Sequence, residues 1–395
     1  MKTPYFLIKE DELNENINQF KYALEKYWPN SILSYSVKTN SLPWILKYMK
    51  KNNVFAEVVS DEEYQLSKMC AFDDKEIIFN GPIKTSEQLE MAIKSNAIVN
   101  LDSKNDLLVV NNINAVSCER IGLRINIDTS FFDSDDIGFC EDGFRFGFSE
   151  ENDDLSNAIT LMREMYGENA RFGLHLHCNS ITRSLNVYKS IAEYANYIIN
   201  KYNLNPSFID IGGGFFGGVE GKPCAKDYVK VIKNTFSSTI DINQTKLILE
   251  PGSAIIGSVV DLHTTVVDEK YVKNAKIVTT DGSRIHIDPL WKKTKYMYSL
   301  VTNKSILETR KQIICGYTCM DHDRIMCLEN EKKISIGDQI IYHRVGAYSM
   351  TFGGMFIKYY PDVYVLYNGS YKQVRGRTSV EDYYKIQYSK CEGDI

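Results

Sequence analysis

Four short stretches carry residue types able to do chemistry together. SYSVKTNS (Ser34–Ser41) sets Lys38 at the end of an apolar-polar strand pattern, before a turn of small polar residues. A lysine amine placed there can form a Schiff base with a carbonyl compound; a solvated surface charge is the plainer alternative. HLHCNS (175–180) sets His175 and His177 on one side of a strand. The pair could bind a metal, but no acidic or cysteine set at zinc spacing accompanies it, so no metal is expected. A ring stacked on a planar cofactor is the better use of His177, with Ser180 as a hydroxyl donor to phosphate.

DIGGGFFG (210–217) ends a strand in three glycines. Glycine lets backbone N–H groups approach a phosphate, although a tight turn would use the same residues. EPGSAI (250–255) places Glu250 before a Pro-Gly turn, where a carboxylate can face a cationic ring nitrogen or only water. Phosphate, planar ring, ring-nitrogen acid and lysine together describe pyridoxal 5′-phosphate. A carboxylate on the pyridine nitrogen keeps it protonated. The ring then absorbs a carbanion's electrons, which favours decarboxylation.

These residues need a frame that brings distant strand ends to one place. From about residue 30 to 255, short β-rich runs alternate with longer amphipathic segments. The runs are ILSYSVK, VFAEVVS, EIIFN, AIVNLD, RIGLRIN, RFGLHLH, SFIDIGG and KLILE. DEEYQLSKM (61–69), TSEQLEMAIKS (85–95) and SLNVYKSIAEYANYIINKY (184–202) are typical of the helical segments between them. Eight alternations predict a (β/α)8 barrel over a doubly wound open sheet. The run ends carry Lys38, Ser60, Asn80, Asp102, Asn126, His177, Gly212 to Gly214 and Glu250, all at the expected mouth.

After Pro251 the pattern has period two, cut by Gly, Asp and Asn turns, and predicts antiparallel strands. The expected organisation is an α/β chain: residues 1–25 a strand and helix joining the β domain, 26–255 the barrel, and 256–395 a C-terminal antiparallel β domain. A length of 395 residues fits two domains, and a net charge of −5 gives no basic surface for nucleic acid. No signal peptide or membrane span is visible, and the nine scattered cysteines suit reduced thiols in a cytoplasmic protein.

The sequence resembles the pyridoxal-phosphate decarboxylases of the alanine-racemase fold (fold type III), the group of diaminopimelate and ornithine decarboxylases. YSVKTN resembles Y-A-x-K-A-N. EVVSDEE (57–63) resembles D-V-A-S-x-x-E. HLHCNS resembles H-x-H-I-G-S, with Asn179 for glycine. DIGGGFFG is the glycine motif, and EPGSAI resembles E-P-G-R with Ser253 for arginine. GYTCMDHDRI (316–325) resembles the C-D-G-L-D or C-E-S-G-D segment, and GAYSMTFGGMF (346–356) the G-A-Y segment. Seven motifs in family order, along nearly the whole chain, make the resemblance specific.

The resemblance implies roles. Lys38 would hold the cofactor, His177 would stack on it, and Glu250 would pair with its nitrogen. Ser180, Gly213, Gly214, Gly252 and Tyr348 would bind phosphate, with Ser253 at the arginine's place. Glu57 and Arg124 would support the lysine and ring. Cys319 would come from the partner subunit of a head-to-tail homodimer with shared active sites, and protonate the carbanion after carbon dioxide leaves.

The departures bear on substrate. Diamine-forming relatives carry an acid directly after the catalytic cysteine; Met320 stands there, with Asp321 and Asp323 nearby. An ammonium buried against methionine would lack a charge partner. Relatives acting on diaminopimelate use arginines for the distal carboxylate, one in an R-P-x-L-Y-like segment. RIHIDPLWKK (284–293) differs there; Arg284, Lys292 and Lys293 could serve an altered site or a solvated loop. The expected substrate is an amino acid with a modified, conjugated or carrier-linked distal end, in a specialised biosynthetic pathway. An ordinary diaminopimelate, ornithine or lysine decarboxylase, a racemase and a non-catalytic regulator are the alternatives. Glu250 argues against a racemase, and the full motif set against a regulator.

Overall fold

Both periodicities of the sequence are realised in the computed structural model, which describes residues 1–113, 117–302 and 308–388. The chain divides into two units, one of Met1–Asn14 with Ile256–Ile395 and one of Glu15–Ile255. Residues 389–395, placed by the sequence in the β domain, lie outside the described residues.

Strand β1 (Tyr5–Lys9) opens the chain and helix α1 (Glu10–Tyr27) follows. The second unit is a closed barrel of eight parallel strands: β2 (Ser31–Ser36), β3 (Phe55–Val58), β4 (Ile77–Phe79), β5 (Ile98–Leu101), β6 (Ile121–Arg124), β7 (Gly173–His175), β8 (Phe208–Asp210) and β9 (Lys246–Leu249). β9 pairs back to β2. Helices α2 (Pro43–Lys51), α3 (Asp61–Met69), α4 (Ser86–Lys94), α5 (Lys104–Ile113), α6 (Asp154–Tyr166), α7 (Leu185–Lys201) and α8 (Ala225–Phe236) alternate with them. Local chemistry sets their starts. Ser60, Thr85 and Ser184 each accept an N–H from the first turn of α3, α4 and α7. α3 also begins with three acids and ends near Lys68, which suits the helix dipole.

The barrel interior is layered. Ile32, Phe55, Ile78, Ile98, Phe208 and Ile248 pack as one apolar cluster. Gly122 and Gly173 leave room for the Phe208 ring: a Cβ on Gly173 would lie 2.1 Å from that ring. Two residues further along the same strands stand Ser34, Glu57, Asn80, Asn100, Arg124, His175, Asp210 and Glu250. Because side chains alternate along a strand, one register step of two exchanges an apolar layer for a polar one.

The first unit is a nine-stranded sheet of β1 with β10 (Val260–Val272), β11 (Ala275–Thr280), β12 (Tyr298–Val301), β13 (Glu308–Cys315), β14 (Arg324–Lys332), β15 (Gln339–Tyr342), β16 (Asp362–Tyr367) and β17 (Ser370–Arg375). The expectation of antiparallel strands needs one correction. β1 runs parallel to β16, and β11 parallel to β13. Neither pair is a hairpin: the first joins strands from opposite ends of the chain, and the second is joined by a long crossover. Among the described residues no helix is long and apolar enough to cross a membrane.

Candidate active site

The polar layer and the loops just beyond it form one hydrogen-bonded site in the barrel unit. Lys38 lies in a short 3-10 turn (Val37–Thr39) directly after β2, rather than in the strand itself. Its ammonium meets both oxygens of Glu57, at 2.8 and 3.1 Å. Glu57 is almost fully buried, whereas 42% of the Lys38 side chain is exposed, so the pair stands at the edge of an open space. Burial pushes the Glu57 carboxyl up, but the Lys38 charge and hydrogen bonds from Lys38, Ser36 and Asn80 more than reverse it. Its pKa falls below the ordinary carboxylate value.

Asn80 joins this pair to a second acid. Its amide nitrogen donates to Glu57 Oε1 at 3.2 Å and to Glu250 Oε1 at 2.8 Å. Its oxygen accepts from Asn100, whose amide also donates to Asp210 at 3.0 Å. Asp210 accepts the Gly212 N–H at 2.9 Å and stands beside Glu250, with one carboxyl oxygen of each within 4.8 Å of the other. Burial and then the neighbouring Asp210 and Glu57 charges raise the Glu250 carboxyl well above its ordinary value. Burial raises Asp210 to about 6.

The sequence offered no ligand partners for His175, yet the fold brings Asp210 and Glu250 to it, with one ligand atom of each within 4.8 Å of the others. His175 is buried, and neither ring nitrogen has a hydrogen-bond partner among the described residues. Burial, then the nearby Arg124 charge, holds it well below the usual histidine range.

A second layer of ion pairs supports the other wall. Arg124, at the end of β6, pairs with Asp102 at 2.9 Å and lies over the Phe146 ring. Asp102 also accepts the Gly147 N–H at 3.0 Å. Lys84, buried completely, pairs with Asp106 at 2.9 Å. His177 lies two residues past β7. Loss of water, then the Arg124 and Lys38 charges, lowers it to about 3, so the ring is neutral at physiological pH. A neutral imidazole offers a flat face for stacking.

Glycine is required where the loops close on one another. A Cβ at Gly212 would lie 2.6 Å from the His177 ring, and one at Gly213 2.5 Å from the Glu250 carbonyl oxygen. A Cβ at Gly252 would lie 2.0 Å from Thr39 Oγ1, beside Lys38. Gly212 and Gly214 also have φ of 68° and 89°, which disfavours any side chain. Tyr188 donates to the Gly213 carbonyl at 3.0 Å and stacks on Phe215, fixing the loop. Ser180 is half-buried in a bridge to Ile137, and Ser253 begins a short helix, Ser253–Ile256.

The remaining expected residues lie in the β unit. Cys319 is exposed on the turn between β13 and β14, with Met320 half-buried and Asp321 exposed. Asp323 is buried beneath this turn. It accepts from Thr318 Oγ1 at 2.7 Å, Ser283 Oγ at 2.9 Å and the Arg284 N–H at 3.0 Å. Its carboxylate therefore shapes the turn. Tyr348 is partly exposed, with φ of 55°.

The barrel residues fit pyridoxal phosphate. A glycine cradle with no room for side chains, a neutral histidine face, a buried acid and a lysine at the edge of an open space match its phosphate, ring, ring nitrogen and aldehyde. Fold and site thus define a pyridoxal-phosphate-dependent carboxy-lyase. The family described as "Pyridoxal-dependent decarboxylase, pyridoxal binding domain" matches residues 10–257, and the chain belongs to it.

Its relatives are distant but span the whole chain. It is 26% identical to a diaminopimelate decarboxylase of Helicobacter pylori, covering 99% of this chain and 97% of that protein. It is 25% identical to the L-glutamyl-[BtrI acyl-carrier protein] decarboxylase of Niallia circulans, covering 96% and 92%. The crystal structure of the Helicobacter pylori enzyme complexed with L-lysine shares the fold, with a TM-score of 0.82 at 22% identity over 98% of this chain and 97% of that one. The protein is a pyridoxal-phosphate-dependent amino-acid decarboxylase of the alanine-racemase-like fold.

Proposed function

We propose that the substrate is an amino acid whose distal end is modified, conjugated or carried by another molecule. The observation carrying this reading is that two charges near the expected distal site, Arg284 and Asp323, are already paired inside the β unit. Arg284 is held by Asp288 at 3.1 Å and lies over Trp291. Asp323 is occupied by its three neighbours. Met320 follows Cys319 and offers no charge. A free ammonium or carboxylate would lose water there without gaining a partner. The carrier-linked glutamyl substrate named for the Niallia circulans relative supports the same reading.

When bound, pyridoxal phosphate supplies a conjugated ring that accommodates the electrons left behind by carbon dioxide. Lys38 would hold it covalently, with Glu57 orienting the amine. Ser180, Gly213, Gly214, Gly252 and Tyr348 would bind the phosphate, beside Ser253. His177 would cover one ring face, Glu250 would face the ring nitrogen, and Arg124 would support the ring wall. Cys319 of a partner subunit would return a proton to the α-carbon, in a cytoplasmic homodimer with shared sites. All eight cysteines among the described residues are unpaired, which suits a reducing compartment.

Asp321 favours a second reading. It is exposed two residues after Cys319 and could replace the missing acid, giving an ordinary diamine-forming or diaminopimelate decarboxylase. Carbon dioxide release separates the readings. The cofactor-loaded protein is given free diaminopimelate, ornithine, lysine and arginine, and then γ- or ε-amide conjugates and carrier-thioester-linked glutamate. Turnover of conjugates alone supports the proposal; rapid turnover of one free amino acid rejects it.

A further inference from the structure

We propose that Asp210 is a positioning residue that keeps Glu250 protonated, so that the acid facing the ring nitrogen arrives with a proton to give. The inference rests on the reading of Glu250 as the ring-nitrogen partner. Its basis is a count of donors. Both Asp210 oxygens accept N–H bonds, Oδ1 from Gly212 at 2.9 Å and Oδ2 from Asn100 at 3.0 Å. A carboxyl accepting at both oxygens is stabilised as the anion. Among the described residues, the Glu250 carboxyl receives an N–H at Oε1 alone, from Asn80. Two buried carboxyls with oxygens within 4.8 Å of each other favour one proton between them, and Glu250 has fewer donors to stabilise its anion.

The surrounding charges agree. Glu250 is faced by Lys38 from the turn after β2, by Glu57 of β3, by His175 of β7 and by Asp210 of β8. Lys38 is engaged by both Glu57 oxygens, so its charge is already balanced. His175 is neutral, being held well below its ordinary pKa by burial and the Arg124 charge. Asp210 is then the resident anion beside Glu250. Asn80 and Asn100 fix the order: Asn80 uses both amide hydrogens on Glu57 and Glu250, which turns its oxygen toward Asn100. With the cofactor bound, the Glu250 carboxyl proton would move to the ring-nitrogen lone pair, and the resulting ring N–H together with the Asn80 amide would hold the Glu250 carboxylate beside Asp210. No proton is drawn from solvent.

The test is infrared spectroscopy of the cofactor-free protein at pH 8, where the carboxylic-acid carbonyl band shifts in heavy water. Glu63 lies at about 7 and is mostly ionised at that pH. We expect one buried acid band, shifted by carbon-13 labelling of glutamate but not of aspartate, and absent in Glu250→Gln. In Asp210→Asn its titration midpoint should fall by at least about one pH unit, a tenfold rise in the acid dissociation constant. A band that follows aspartate labelling, the absence of any band, or an unchanged midpoint in Asp210→Asn would overturn the inference. The labelling result needs no variant and stands if Asp210→Asn does not fold. Adding pyridoxal phosphate then removes the Glu250 band if Glu250 faces the ring. A glutamate band that survives loading overturns that pairing while leaving the proton's location established.

Discussion

The Glu57 carboxylate takes the Lys38 ammonium with both of its oxygens, at 2.8 and 3.1 Å, and is itself sealed from water. Lys38 is thereby aimed and balanced before any ligand enters. Lys38→Ala should abolish the visible absorbance of bound cofactor and lower carbon dioxide release by about a thousandfold or more. Glu57→Gln keeps the shape and removes the charge. It should retain cofactor absorbance and slow turnover roughly tenfold to a hundredfold, as measured by single-turnover kinetics.

His177 supplies a pH prediction. Its folded pKa is depressed to about 3, below the unfolded value near 6.5. Between those limits the unfolded chain binds a proton that the folded chain does not, so stability is lost as pH falls through the window. The slope from one such group is at most about 1.4 kcal/mol per pH unit. Urea titrations from pH 7 to 4 should show a shallower acid loss for His177→Phe than for the wild type.

Glu250 gives the opposite sign. Its folded pKa is raised, so the folded chain holds a proton that the unfolded chain releases. That contribution is full below the unfolded value and is lost as pH rises through the folded one. Cofactor-free Glu250→Gln should therefore gain stability relative to wild type as pH rises above about 4.5, read from paired melting curves.

The barrel floor predicts a purely structural variant. Gly173→Ala would put a methyl group 2.1 Å from the Phe208 ring. Overpacking of this kind costs about 1–3 kcal/mol. Urea midpoints should fall, and the KM of the folded fraction should stay unchanged.

Met320 tests the substrate proposal. Met320→Asp restores an acid directly after Cys319 and gives a distal ammonium a charge partner. It should raise kcat/KM for free ornithine or lysine about tenfold or more, equivalent to roughly 1.4 kcal/mol. No gain would place the specificity element elsewhere.

The eight-strand rhythm, the lysine, the glycine run and the acid before Pro-Gly were legible because each rests on local pattern. Short β-rich runs alternating with helical segments announce a parallel barrel, and α3 falls at the expected 61–69 because Ser60 and three acids mark its start. Residues at the run ends were read as lining one mouth. The layer beneath them was not. Asn100 and Asp210 lie two residues before the run-end residues Asp102 and Gly212 and look like ordinary polar positions in the sequence. Only closure of the barrel sets them against Asn80, His175 and Glu250, whose strands are distant in the chain. Asp323 shows the same limit from the other direction. The family resemblance set it near the substrate, while three neighbours from two segments hold it beneath its own turn. The parallel pairs β1–β16 and β11–β13 were likewise invisible, because strand direction follows from long connections that alternation does not encode. Sequence specified which groups exist and on which strands. Tertiary structure decided which carboxyl meets which donor, and so where charge and proton reside, because that depends on distances between strands and not on spacing along one.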